Sequence, residues 1–125
     1  MEFTSMTVAQ VLNNFWNSFG LPAYDENTVP DSAIVPYITY ETSDDFFGED
    51  RSLSASLWYR SPSWVAITEK EQEIAEYIGR GGRMLAVDGG ALWIKRGRPW
   101  AQRMPETSDR MIRRIVLNYE IEFIK

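Results

Sequence analysis

The chain has no cysteine and no histidine among its 125 residues. Without cysteine there is no disulfide framework, no thiolate nucleophile and no zinc–sulfur site. Without histidine the commonest general base and metal ligand is missing as well. No Walker phosphate loop, GxGxxG or GxSxG pattern occurs. There is no run of about eighteen apolar residues and no signal-peptide pattern, so the sequence predicts neither a membrane span nor secretion. These absences remove most of the usual routes to catalysis, and neither a cofactor nor a metal is expected.

What remains is an ordinary globular composition, 44% hydrophobic and 25% charged. The length suits one domain, residues 1–125, with a core of useful size. The net charge of −5 conceals an asymmetry. Residues 1–79 carry three basic and thirteen acidic side chains, whereas residues 80–125 carry ten basic and five acidic ones. One reading is that solvated faces simply differ in charge. The other is that an acidic surface of one copy meets a basic surface of the next, a head-to-tail contact that closes into a ring if the rotation permits.

Along the chain, Met1 to Ser5 shows no pattern and reads as a disordered or appended start, with Met6 an alternative beginning. Thr7 and Gln10 have capping-box spacing, and Val8, Val11, Leu12, Phe15 and Phe19 recur at helical intervals until Gly20 and Pro22. Residues 21–32 read as loop. Ile34 to Glu41 reads as a strand, with Pro36 confined to its start or to an edge. Leu53, Ala55, Leu57 and Tyr59 alternate with serines and Trp58 in a second strand, and the two are expected to form a hairpin joined by the acidic residues 42–51.

Ser61-Pro62-Ser63 can cap a second helix. At about 100° per residue, Trp64, Ile67, Ile74, Ala75 and Ile78 share one face with Glu71 among them. Glu71 either reaches back to Thr68 as a second capping box, starting the helix late, or pairs with an arginine at the edge of that face. Gly79, Gly81 and Gly82 end the helix. Met84, Leu85 and Val87 form a strand, Asp88-Gly89-Gly90 a tight turn, and Leu92, Trp93 and Ile94 the return. Lys95 to Trp100 follows as a basic segment that continues as an edge strand to Met104. The final strand spans Arg110 to Lys125, with Ile115, Leu117, Tyr119, Ile121 and Phe123 on one face. Such a strand would run about 50 Å, more than a chain this small is expected to pair, so part of it is expected to extend beyond the protomer. The order is α-β-β-α-β-β-β, an α+β fold with a mixed or antiparallel sheet and two helices on one face.

Three stretches carry candidate chemistry. Asp44, Asp45, Glu49 and Asp50 lack EF-hand spacing and the separate-strand placement of glycosidase carboxylates. They read as a solvated loop or, with Phe46 and Phe47, as a loop that orders on a partner. Arg80-Gly81-Gly82-Arg83 and Lys95 to Trp100 could touch phosphates and stack a base, although the acidic total argues against sequence-specific nucleic-acid recognition.

The succession of phrases carries a resemblance. Val35-Pro36-Tyr37-Ile38-Thr39-Tyr40 follows an N-terminal helix. Leu57-Trp58-Tyr59, the Ser63-Trp64 helix and Asp88-Gly89-Gly90-Ala91-Leu92-Trp93-Ile94 come next, and Ala101-Gln102-Arg103-Met104 precedes a closing strand. In this order the chain from Met6 onward resembles the tail terminator (tail completion) proteins of long-tailed bacteriophages and prophages, particularly those of Gram-positive hosts. The resemblance implies a non-enzymatic structural role in virion assembly and head–tail joining. Such proteins form hexameric rings that cap the tail tube, end its polymerisation and offer a surface to the head–tail connector. DNA passes through the ring without sequence recognition. The implied partners are further copies of the chain, the major tail tube protein and the connector. The implied location is the virion tail or neck, after assembly in the host bacterial cytoplasm. The family supplies no catalytic residues to carry over.

Beside that resemblance, the residues themselves place two surfaces. Asp44, Asp45, Phe46, Phe47, Glu49 and Asp50 would dock on the tube or line the lumen, where acidic charge lets DNA slide. Arg80, Arg83, Arg96, Arg98, Arg103, Arg113 and Arg114 would form the basic side of the subunit contact. The alternatives are a neck adaptor or stopper on the portal side and a small nucleic-acid-binding regulatory module, with an enzyme further off. The nucleic-acid alternative predicts binding that collapses as salt rises; affinity for DNA that is flat between low and physiological salt removes it.

Overall fold

The computed structural model describes residues 7–42, 51–105 and 108–125. Helix α1 (Val8–Trp16) begins at the Thr7–Gln10 capping box, in which Thr7 Oγ1 accepts from the Gln10 N–H at 3.2 Å and Gln10 Oε1 accepts from the Thr7 N–H at 2.9 Å. The predicted continuation to Phe19 tightens into a 3₁₀ turn, Asn17–Phe19, which stops at Gly20 with φ 81°. Strands β1 (Ala23–Asp25), β2 (Tyr37–Tyr40) and β3 (Arg51–Arg60) follow, then α2 (Val65–Ile78), β4 (Arg83–Val87), β5 (Gly90–Met104) and β6 (Ile112–Ile124). Among the described residues the strands make one sheet in the order β1-β2-β3-β6-β5-β4, antiparallel apart from the β1–β2 pair.

Strand β6 sits in the middle of this sheet, and its alternation is the pattern the fold is built on. Ile115, Leu117, Tyr119 and Ile121 are buried against the helices, whereas Val116, Asn118 and Glu120 face the other way. They join Leu12, Phe15, Trp16 and Phe19 of the first helical segment and Ile67, Ile74 and Ile78 of α2 in one core. Trp16 is fully buried and stands edge-on to Tyr119, with ring centroids 5.2 Å apart. The Tyr119 hydroxyl donates to the Glu41 carbonyl at 2.6 Å, which satisfies the one polar atom this central ring brings inside.

Three expectations need correction. The long final strand does not run past the protomer: β3 pairs residues 112–121 and β5 pairs residues 114–124, so it is covered along its length. A ten-residue and a fifteen-residue neighbour do what short strands could not. Second, the stretch read as loop contains β1, a three-residue strand parallel to β2 that carries too few residues to show a period of two. The order is therefore α-β-β-β-α-β-β-β. Third, β2 begins at Tyr37, so Pro36 precedes it and β2 is flanked on both sides.

Helix α2 starts at Val65, not at Thr68. The Thr68 N–H bonds the Trp64 carbonyl at 3.0 Å, while Ser63 Oγ accepts from the Val65 N–H at 3.1 Å. The Asp88-Gly89 turn joins β4 to β5 with Gly89 at φ 81°. Further along β5, four residues, Gly97 to Trp100, stand opposite the single Asn118 of β6. The Asn118 side-chain amide donates to the Pro99 carbonyl at 2.9 Å and pins that bulge.

Close backbone approach gives a test of the β5–β6 ladder. A Cβ on Gly90 would lie 2.2 Å from the Ile124 carbonyl oxygen, while one on Gly81 meets nothing within 4 Å. Gly90→Ala is expected to cost about 2 kcal/mol in urea denaturation, through forced backbone displacement. Gly81→Ala is expected to leave the midpoint where it is.

Candidate functional site

The face of the sheet turned away from the helices holds a row of rings. Register sets Tyr37 opposite Trp58 and Trp58 opposite Arg114. Tyr24 stands 5.8 Å from Tyr37, Tyr37 stands 6.5 Å from Trp58, and the Arg114 guanidinium lies 4.6 Å over the Trp58 ring. Hydrogen bonds fix the row: Trp58 Nε1 donates to Thr39 Oγ1 at 2.9 Å and Arg114 Nε to Ser56 Oγ at 3.1 Å. That second bond explains why a serine is buried on this face, at 4% exposure. Half-buried, rigid aromatic area with one charge at its end is well made for contact with another macromolecule, because little side-chain freedom remains to be lost.

The seven arginines assigned to a subunit surface do not gather in one place. Arg103 and Arg113 converge on Trp64, 4.8 and 5.2 Å from its ring. Arg113 is also tied to the carbonyls of Ser61 and Pro62, at 3.1 and 2.8 Å. Arg83 caps the end of α2, donating to the Tyr77 carbonyl at 2.8 Å and lying 3.8 Å over its ring. Arg114 belongs to the aromatic row, and Arg96 is half-buried beside Glu71. Arg80 and Arg98 are exposed and engage no other described residue. Asp44, Asp45, Phe46, Phe47, Glu49 and Asp50 lie outside the described residues.

Beside the bulge, a cleft of about 440 Å³ opens between β3, β6 and the loop of β5. Glu41, Ser54, Arg98, Asn118 and Glu120 line it. The Ser54 hydroxyl donates to the Glu41 carboxylate, and Arg98 reaches in from the bulge as the one cation in the lining. Nearby, burial and the neighbouring carboxylates of Glu41 and Asp25 push the Glu26 carboxyl above its ordinary value. Among the described residues no cluster of three or more acidic side chains is arranged to hold a metal ion.

No protein-family model and no curated protein matches the chain. Its fold is similar to that of a virion component. A chain from the virion of the native gene transfer agent (GTA) particle superposes with a TM-score of 0.60, over 90% of this chain and 84% of that one. The two are 17% identical, so the likeness is one of fold. No helix among the described residues is long and apolar enough to cross a membrane.

The aromatic row escaped the sequence reading. Its signal was present, however: Tyr37 and Trp58 occupy the polar phase of their strands, where an alternating pattern calls for serine or threonine.

Of the roles offered for Glu71, the late capping box is removed by the start of α2 at Val65, and the side chain lies within the field of Arg96. Its carboxyl is drawn above the ordinary glutamate value by burial, opposed by Arg96 and by the adjacent Trp100 indole. The folded state thus holds the Glu71 proton more tightly than the unfolded chain does. That contribution is complete in acid below the ordinary glutamate value and is lost as pH rises through the elevated one. Glu71→Gln is accordingly expected to raise the urea midpoint at neutral pH, with the advantage vanishing below about pH 4.

Proposed function

We propose that this chain is a non-enzymatic structural protein of a phage-like particle, a tail terminator whose copies form a hexameric ring on the end of the tail tube. The observation that carries this reading is the shared fold with a gene transfer agent virion chain across most of both chains. The order of sequence phrases supports the finer assignment to a terminator, as does a sheet with helices on one face and a row of rings on the other. In this reading the ring stops tube polymerisation and presents a surface to the head–tail connector. DNA passes through without being read. The protein works in the tail or neck of the virion after assembly in the bacterial cytoplasm.

Arg80 and Arg98 have no partner among the described residues, so the reading assigns them first to contacts between copies. Such cations steer association and fix its register by meeting acidic groups of the neighbour. Mixing the purified protein with tail tubes and imaging by electron microscopy is the direct test. The expected result is tubes of fixed length with a six-fold cap, and loss of the cap in Arg80→Glu combined with Arg98→Glu while the circular dichroism spectrum is kept. Tubes that keep growing in the presence of the wild-type protein would refute the terminator role. Binding to the portal side instead would make it a neck adaptor.

A further inference from the structure

The sheet offers three stretches of edge, and two of them are closed. At β1 the Asn17 side chain takes both outward groups of Ala23, accepting from its N–H at 2.9 Å and donating to its carbonyl at 3.2 Å. The Asp25 carbonyl is taken by the Thr28 N–H at 2.9 Å. Beyond Ile94, β5 is interrupted by its bulge with Pro99 and flanked by α2, whose Thr68 meets Arg103 Nη2 at 3.4 Å. These are the usual devices against strand addition: a short edge, a proline, a bulge and a cover.

Strand β4 carries no proline and no bulge, and among the described residues nothing bonds its outer edge. It is five residues, Arg-Met-Leu-Ala-Val. The two-residue turn makes Val87 and Gly90 a hydrogen-bonded pair, and antiparallel alternation then does the same for Leu85 with Leu92 and Arg83 with Ile94. Met84 and Ala86 fall on the intervening pairs, so their N–H and C=O groups point away from β5. No described residue bonds them. Met84 is 52% exposed, and a cleft of about 320 Å³ lined by Val11, Phe15, Tyr77 and Leu85 runs beside the strand.

We propose that β4 is the contact through which two copies of this chain join, pairing antiparallel about a two-fold axis at Leu85. The strand is complementary to itself in three ways. In this register Met84 faces Ala86 of the second copy, and the outward groups of both residues exchange four hydrogen bonds across the axis. A large side chain meets a small one on each side, while Leu85 meets its own counterpart beside that cleft. Arg83 opens the strand and Asp88 follows its apolar run, so reversing direction sets unlike charges towards each other. Paired in this way, the two sheets become one continuous sheet. A two-fold contact cannot itself close a six-fold ring, so this surface is additional to the ring contact and does not depend on it.

Ala86→Pro removes the outward N–H without touching the β4–β5 ladder, where that group has no role. Sedimentation equilibrium of the full chain is expected to show a two-chain species for the wild type and for Met84→Leu. The dissociation constant of Ala86→Pro should be weaker by roughly a hundredfold, two intermolecular bonds being lost by symmetry. Hydrogen exchange should show Met84 and Ala86 amides protected in the wild-type pair. Should Ala86→Pro lose its fold, Met84→Lys serves instead, with the same loss of pairing expected. A wild type that stays single-chain throughout the dilution series overturns the proposal, as does pairing unaffected by a folded edge variant. A hexamer insensitive to Ala86→Pro likewise overturns it, while leaving the ring reading intact.

Discussion

The whole architecture depends on β6 being held on both sides. Its backbone is paired by β3 and β5, and its inward row of Ile115, Leu117, Tyr119 and Ile121 is the floor on which α1 and α2 rest. A central strand with one buried face gives register no freedom, because a slip of one residue would send four large apolar side chains into water and bring Asn118 and Glu120 inside. Tyr119 tightens this further. Its ring fills the space beside Trp16, and its hydroxyl closes on the Glu41 carbonyl, so a central strand, the first helix and the end of β2 are fixed by one side chain. Burial drives the tyrosine's pKa far upward, which keeps it a neutral hydrogen-bond donor at any ordinary pH.

Much of this is legible in the sequence. The strict alternation of β6, the Thr7–Gln10 box, the helical spacing of Ile67, Ile74 and Ile78, and the Asp88-Gly89 turn each rest on local chemistry, and all appear in the fold. What failed did so for nonlocal reasons. Strand β1 is three residues whose conformation is imposed by β2 and by the Asn17 side chain, neither of which is its sequence neighbour. The expectation that β6 would outrun its partners set its length against that of a typical strand, and β5, which resumes after its bulge, supplies a partner as long. The start of α2 was ambiguous between Ser63 and Thr68 because both have suitable side chains, and packing of Trp64 under Arg103 and Arg113 favours the earlier one.

The surface was harder to read than the core. Counting charges along the chain suggested one basic flank, yet most of those guanidiniums are consumed locally, over Tyr77, Trp64 and Trp58 or beside Glu71. An arginine stacked on a ring serves as a packing element as much as a charge, and sequence does not say which arginines will find a ring. The residues that distinguish the outer face, Tyr24, Tyr37 and Trp58, become a row only through the pairing of three strands drawn from residues 23–60. A row of this kind is set by strand order and register, which no local pattern of residues displays.

The bulge of β5 has a consequence for how the chain can change over time. Before it, even-numbered residues such as Leu92 and Ile94 face the helices; after it, odd-numbered Ala101 and Arg103 do, since four residues oppose one. Each half of the strand is clamped to β6 separately, so the intervening loop works as slack between two fixed rails. Insertions or deletions there alter only the slack, and the inward and outward phases on either side stay as they are. Length can therefore drift at this point of β5, and drift there reshapes the cleft around Arg98 without disturbing the scaffold beneath it.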